Sequence, residues 1–176
     1  AGEVQFEGKL IANTFRGLKL EVNGTKLETQ LVGSFNAYNL LAVFGAAMLL
    51  DQDAKKVCDA MTSFTPPPGR FQHMEINGKV GIVDFAHTPD ALENVLATIH
   101  DIKSANQKVF TVIGCGGDRD TAKRGPMATI AQKYSDIAIF TSDNPRSEDP
   151  HVIIDQMMEH IAADDPEPEN IFKVVD

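Results

Sequence analysis

Asp143-Asn144-Pro145-Arg146 places a carboxylate, an amide and a guanidinium within four residues, with Pro145 fixing φ inside the turn. A guanidinium is a planar fork that takes a carboxylate bidentately, and a carboxylate can receive an ammonium group. The pair suits a ligand carrying both charges, such as a free amino acid. A turn closed by a surface ion pair would use the same residues, and the tetrapeptide alone leaves both readings open. A second polar stretch, Gly114-Cys115-Gly116-Gly117-Asp118-Arg119-Asp120, removes side chains where a ligand could approach the backbone. Arg119 occupies the third glycine position of the dinucleotide fingerprint, which therefore fails, and no G-x-x-x-x-G-K-[ST] phosphate loop occurs. The glycines alone describe a tight turn, with Asp118 or Asp120 capping the next helix; Arg119 between two aspartates favours a site for a zwitterion. In Asp84-Phe85-Ala86-His87-Thr88-Pro89-Asp90 a single His87 follows Asp84. Without a second clustered His or Cys a zinc site is rejected, and His87 reads as a hydrogen-bonding residue leading into a helix. Cys115 has no identifiable base that would make it a nucleophile.

These stretches end strands. Lys79–Phe85, Lys108–Cys115, Asp136–Asp143 and the start of another at Ile171–Val175 are near-continuous apolar runs. They alternate with amphipathic helices over Pro89–Asp101, Lys123–Tyr134 and Pro150–Ile161. That alternation predicts an α/β fold with a Rossmann-like, mostly parallel sheet and flanking helices. Ligands bind beyond the carboxyl ends of such strands, so neighbouring strands should open all three polar stretches onto one rim. Upstream, Val4–Phe6, Gly17–Val22 and Thr25–Val32 predict a β-meander, with Asn23-Gly24 as a hairpin turn. Helices follow over Asn36–Leu50 and Asp53–Ser63. The first is apolar on nearly every side and needs more cover than the meander and one helix supply, which predicts an incomplete domain. Pro66-Pro67-Pro68-Gly69 reads as a boundary, giving domains 1–66 and 69–176, the second cut short in its last strand. The acidic, proline-containing stretch Asp164–Asn170 is a loop.

Among 176 residues, 43% hydrophobic and 23% charged describe an ordinary soluble protein. A net charge of −9 argues against a nucleic-acid binder, though a local Arg cluster can still hold a small anion. Cys58 and Cys115 are too few for a disulfide scaffold, so a reducing cytosol is the default. The longest apolar run, Leu40–Leu50, is too short for a bilayer, and no basic-then-apolar leader opens the chain. A cytoplasmic protein without membrane contact is expected.

Gly33-Ser34-Phe35-Asn36-Ala37-Tyr38-Asn39, Gly69-Arg70, Asp84 to Asp90, Gly114 to Asp120 and Asp143 to Arg146, in this order and spacing, resemble the Mur ligases. The resemblance covers nearly the whole chain; each motif alone is unspecific, and their succession is specific. It implies an ATP-dependent ligase of peptidoglycan synthesis with an N-terminal domain, a central ATPase and a C-terminal Rossmann-like domain. This chain matches the end of the second and most of the third. By position, the resemblance implies Asn36 and Asn39 near the adenine of ATP, and Arg70 and Asp84, with His87 alongside, near its ribose and phosphates. It implies Arg119, Asp143, Asn144 and Arg146 in the amino-acid pocket. Arg at the fourth position of that turn goes with meso-diaminopimelate, and lysine-adding relatives differ there. The implied reactants are ATP with Mg2+, UDP-MurNAc-L-Ala-D-Glu and meso-diaminopimelate, joined through an acyl phosphate by a monomeric enzyme.

The family's phosphate loop, magnesium-binding residues, catalytic-lysine region and C-terminal Gly-Lys-Gly-His-Glu segment are absent from these residues, and Phe85 stands where Tyr is more usual. No catalytic or metal-ligating residue is therefore assigned, and the chain alone is expected to be inactive, with weak ligand affinity at best. The rival readings are a lysine-adding or folylpolyglutamate-type ligase and a non-catalytic Rossmann-like binding module. The ligase rivals share Asp-x-x-His-x-Pro but are not expected to carry Asp-Asn-Pro-Arg after the glycine loop. The binding module would be self-contained, which the apolar helix 36–50 and the strand cut at Asp176 oppose.

Overall fold

Asn23 and Gly24 both take positive φ, 44° and 79°, closing Val22 onto Thr25 in the two-residue turn their types favour. A computed structural model describes residues 6–162 and 169–175 of the chain, which divides into two units, Ala1–Phe85 and Ala86–Asp176. In the first unit, β1 (Gly8–Thr14), β2 (Gly17–Val22) and β3 (Thr25–Thr29) form an antiparallel sheet in that order. Val4 and Gln5, part of the expected first strand, lie outside the described residues. The alternation of β1 is hidden from a sequence reading because its register shifts between Leu10 and Ala12, a bulge that breaks the period of two.

Alternation along β2 and β3 turns Leu18, Leu20, Val22 and Leu27 to one face. There they pack with Leu40 and Phe44 of α1 (Ser34–Leu49) and with Cys58 and Met61 of α2 (Ala54–Met61). Each such large side chain contributes roughly 1.5–3 kcal/mol on burial. Asp53 caps α2, its carboxylate accepting from Lys56 N at 2.8 Å. Tyr38, Val43 and Leu49 of α1, and Leu50 just after it, are exposed.

The 79–85 segment is the point of correction. Asn77 (φ 52°) and Gly78 (φ 74°) make a second Asn-Gly turn. It pairs β4 (Gln72–Ile76) antiparallel with β5 (Lys79–Val83) in a separate two-stranded sheet. β5 is thus not a strand of the parallel sheet, and the expectation of three strand ends on one rim reduces to two.

In the second unit α3 (Pro89–Ile102) precedes β6 (Phe110–Ile113), α4 (Arg124–Tyr134), β7 (Ile137–Thr141), α5 (Pro150–Ala162) and β8 (Ile171–Val174). The strands are parallel in the order β6-β7-β8, the βαβ pattern the sequence predicts. Ile113, Ala138 and Phe140 join Leu92, Leu96, Met127, Ile154 and Met157 from the helices in one core. On the opposite sheet face Phe110, Val112, Phe172 and Val174 are exposed. Of the expected acidic loop, residues 164–168 lie outside the described set. Among the described residues no helix is long and apolar enough to cross a membrane.

Candidate functional site

Two groups of the expected site residues are assembled, one in each unit. In the first unit, α1 begins after Gly33, whose φ of 98° favours glycine and whose N–H donates to Asn13 Oδ1 at 3.0 Å. Asn36 donates its amide to Val32 O (2.8 Å) and accepts from Asn39 Nδ2 (3.0 Å), so the two asparagines form one hydrogen-bonded pair on the first turns of α1. Phe35, next to them, packs its ring against Phe71, 6.4 Å between centroids.

Phe71 belongs to the turn that carries Arg70. Gly69 (φ 71°) and Phe71 (φ 44°) both take left-handed backbone, and Arg70 N donates to Pro67 O at 3.0 Å. The end of β5 holds this turn from the other side. Asp84 Oδ2 accepts from Phe71 N (2.7 Å), and Phe85 N donates to Gly69 O (2.8 Å). The exposed Arg70 guanidinium lies 5.9 Å from the centre of the Phe85 ring, a cation–π contact. The Phe35–Phe71 contact thus links the start of α1, with Asn36 and Asn39, to the turn that carries Arg70.

His87, in the second unit, precedes the helix start that its neighbours encode. Thr88 Oγ1 accepts from Ala91 N (3.3 Å), Pro89 fills the first turn, and Asp90 faces the positive end of the helix dipole. The carbonyl of His87 accepts from Lys123 Nζ at 2.7 Å.

The loops after β6 and β7 carry the remaining candidates and are locked together. Gly117 N donates to Asn144 O (3.0 Å), and Arg146 Nη1 donates to Gly117 O (2.7 Å) and Asn144 O (3.3 Å). Asp118 accepts from Ser147 N (3.2 Å) and Ser147 Oγ (2.7 Å). The glycines follow from this contact. A Cβ at Gly117 would sit 1.9 Å from Pro145 O, and one at Gly116 would meet Arg146 Nη1 at 2.9 Å. The space that could have admitted a ligand to the backbone is filled by the Asp143–Arg146 turn. Neither aspartate caps α4: Asp120 accepts from Ala122 N (2.9 Å) and Asp118 reaches the facing loop. The exposed Arg119 carries no hydrogen bond or ion pair among the described residues, and Asp143 and Asn144 are also exposed. Arg119, Asp143, Asn144 and Arg146 are thus exposed residues on two joined loops.

The group that joins them escaped the sequence reading. Arg124, 1% exposed, donates from Nη1 to Glu148 Oε2 (2.9 Å) and Gln156 Oε1 (2.5 Å). From Nη2 it donates to Glu148 Oε1 (2.9 Å) and Gly116 O (3.2 Å). Glu148 Oε1 also accepts from Asp118 N at 2.5 Å. The Arg124 hydrogen bond, and then that of the Asp118 amide, hold the Glu148 carboxyl below its usual range, and Ser147 does the same for Asp118. One signal was available: Lys123-Arg124 opens a helix, where the dipole disfavours cations, so a specific acidic partner was to be looked for. Burial pushes the Cys115 thiol up despite Lys123 and Arg124 nearby, which keeps it protonated and suits a packed turn residue.

The family model for the Mur ligase glutamate ligase domain matches residues 69–174. A UDP-N-acetylmuramoyl-L-alanyl-D-glutamate–2,6-diaminopimelate ligase of Cytophaga hutchinsonii is 50% identical over 153 residues, 86% of this chain and 31% of that protein. The enzyme of the same name from Bacteroides thetaiotaomicron is 48% identical over 161 residues, 91% of this chain and 33% of its own length. This chain thus spans about a third of the curated relatives it matches. A solved structure of an enzyme of that name superposes over 100% of this chain and 36% of its own, with a TM-score of 0.64 and 32% identity. By the match of its second unit and the last part of its first, the chain belongs to the Mur ligase family.

Proposed function

We propose that this chain is part of an ATP-dependent ligase that adds meso-diaminopimelate to UDP-MurNAc-L-Ala-D-Glu in peptidoglycan synthesis. In this reading residues 1–66 close the central ATPase domain and 69–176 supply most of the C-terminal domain. The observation that carries it is the two-loop rim. Arg119, Asp143, Asn144 and Arg146 bring two guanidinium groups, a carboxylate and an amide onto two joined loops, a donor set that suits a ligand with carboxylate and ammonium groups. The names of the relatives supply the particular amino acid.

Asn36 and Asn39 would address the adenine, and Arg70 and Asp84, with His87, the ribose and phosphates. The residues fit such a ligand: the two amides form one pair, and a turn fixed by Asp84 presents the exposed Arg70. ATP would phosphorylate the terminal D-Glu carboxylate, and the amine would attack the acyl phosphate, releasing phosphate and leaving the amide. These residues contribute by positioning and by cationic stabilisation of the phosphates. Among the described residues no cluster of three or more His, Cys, Asp or Glu could hold a metal ion. The enzyme is taken to be a cytoplasmic monomer.

The test is amide formation by the full-length protein given ATP, UDP-MurNAc-L-Ala-D-Glu and either meso-diaminopimelate or lysine, read by ADP release and product mass. Turnover with diaminopimelate and little with lysine is expected; a preference for lysine would overturn the specificity. This chain by itself should give no product.

A further inference from the structure

Arg124 is charged, yet it is 1% exposed and among the largest fully buried side chains of the described residues. A buried ion pair generally offers little net stability over apolar packing of similar volume, but its hydrogen bonds have direction, and direction fixes geometry. Here the direction is specific. The guanidinium takes both oxygens of Glu148, the carbonyl of Gly116 and the amide of Gln156. Glu148 in turn takes the N–H of Asp118, and its own N–H closes the Pro145 turn at 3.0 Å. One pair thus grips the glycine loop at residues 116 and 118 and the facing loop at 148. Asp118, one of these points, and Arg146, in the facing turn, are non-glycine residues at φ 52° and 51°. Such backbone persists where surroundings over-determine it.

We propose that the Arg124–Glu148 pair is a positioning device for the amino-acid pocket. It sets the separation at which Arg119, on one loop, and Arg146, on the other, engage a single amino acid at two points. This rests on the ligase reading above, and neither Arg124 nor Glu148 is offered as a contact to substrate. Arg124→Lys keeps the charge but loses the fork, and Glu148→Gln keeps the shape but loses the charge.

The experiment measures steady-state kinetics of both variants in the full-length ligase that carries this segment. KM for meso-diaminopimelate should rise by about tenfold or more, while kcat at saturation and KM for ATP and the UDP-linked substrate stay within about twofold. Amide hydrogen exchange at Gly117 and Asp118 in Glu148→Gln should speed up by a similar factor. An unmoved amino-acid KM in an active, folded variant overturns the inference and leaves the ligase reading standing. Equal losses toward all three substrates, with a lower Tm, reduce the pair to a structural role. A wild-type enzyme that forms no amide with any amino acid brings down the ligase reading and this inference with it. Unchanged exchange at Gly117 and Asp118 defeats the inference whatever the activity.

Discussion

The two units place their exposed arginines by different means. Arg70 is carried on a turn fixed largely at its main chain: left-handed Gly69 and Phe71 bracket it, the Phe71 N–H donates to the Asp84 carboxylate, and the Phe85 N–H donates to Gly69 O. Arg119 and Arg146 are aimed by a side-chain ion pair beneath them, whose members are separated by 24 positions in the sequence. A turn held by its own backbone tolerates loss of one bond, since neighbouring bonds still define it. The joined loops also carry the Gly117–Asn144, Arg146–Gly117 and Ser147–Asp118 bonds, but one substitution at Arg124 removes four side-chain bonds at once.

That contrast can be broken experimentally. The largest expected effect is that of Arg124→Met, which strands a carboxylate, a carbonyl and an amide oxygen and should destabilise the second unit by about 3 kcal/mol. Urea denaturation of this chain would show it, and a loss below about 1 kcal/mol would mean the pair holds nothing. Gly117→Ala comes next, at about 2 kcal/mol, because the added methyl group meets the backbone oxygen of Pro145 rather than a mobile side chain. Gly69→Ala should cost less, about 1 kcal/mol, since its obstacle is a side chain, the Phe85 ring, rather than backbone, in addition to the positive φ. If the two alanines proved equally disruptive, the supposed rigidity of the joined loops would have no support. Asp84→Ala, removing one acceptor from the Phe71 amide, should likewise cost about 1 kcal/mol.

Acidification sharpens the comparison further. The folded-state pKa values of Glu148 and Asp118 lie below their ordinary ones. Their contribution is therefore complete above the ordinary carboxylate range and is lost as pH falls through the lowered folded values. Wild-type denaturation midpoints should fall across that acidic window more steeply than those of Glu148→Gln, which has lost that titration. Parallel curves for the two proteins would contradict the assignment.

Much of this was legible in the sequence because it is local. The Asn23-Gly24 turn, the apolar runs of β6 and β7 and the amphipathic α3 and α5 all announce themselves within a few residues. The same dipeptide at Asn77-Gly78 carried the same message, and reading 79–85 as a strand of the parallel sheet overrode it. A five-residue apolar run looks alike in a hairpin and in a parallel sheet, because pairing partners leave no mark on composition. The candidate residues themselves were readable as motifs. What held them was not, since nothing adjacent in the sequence marks Glu148 or Gln156 as the partners of Arg124, and the facing loop that requires glycine at 117 becomes visible only in three dimensions.

The left-handed backbone at Arg146 also bears on how such a pocket could change over evolutionary time. Asn and Gly accept that conformation readily, whereas Val, Ile and Thr do not. The position is thus biased against β-branched replacements, and the residues that fit it best, Asn and Gly, remove a charge. A lineage drifting toward a different amino acid would lose affinity before gaining selectivity, unless a second change nearby came first. With Asp118 under the same restriction on the bonded facing loop, replacements at this rim are expected to come in coupled steps.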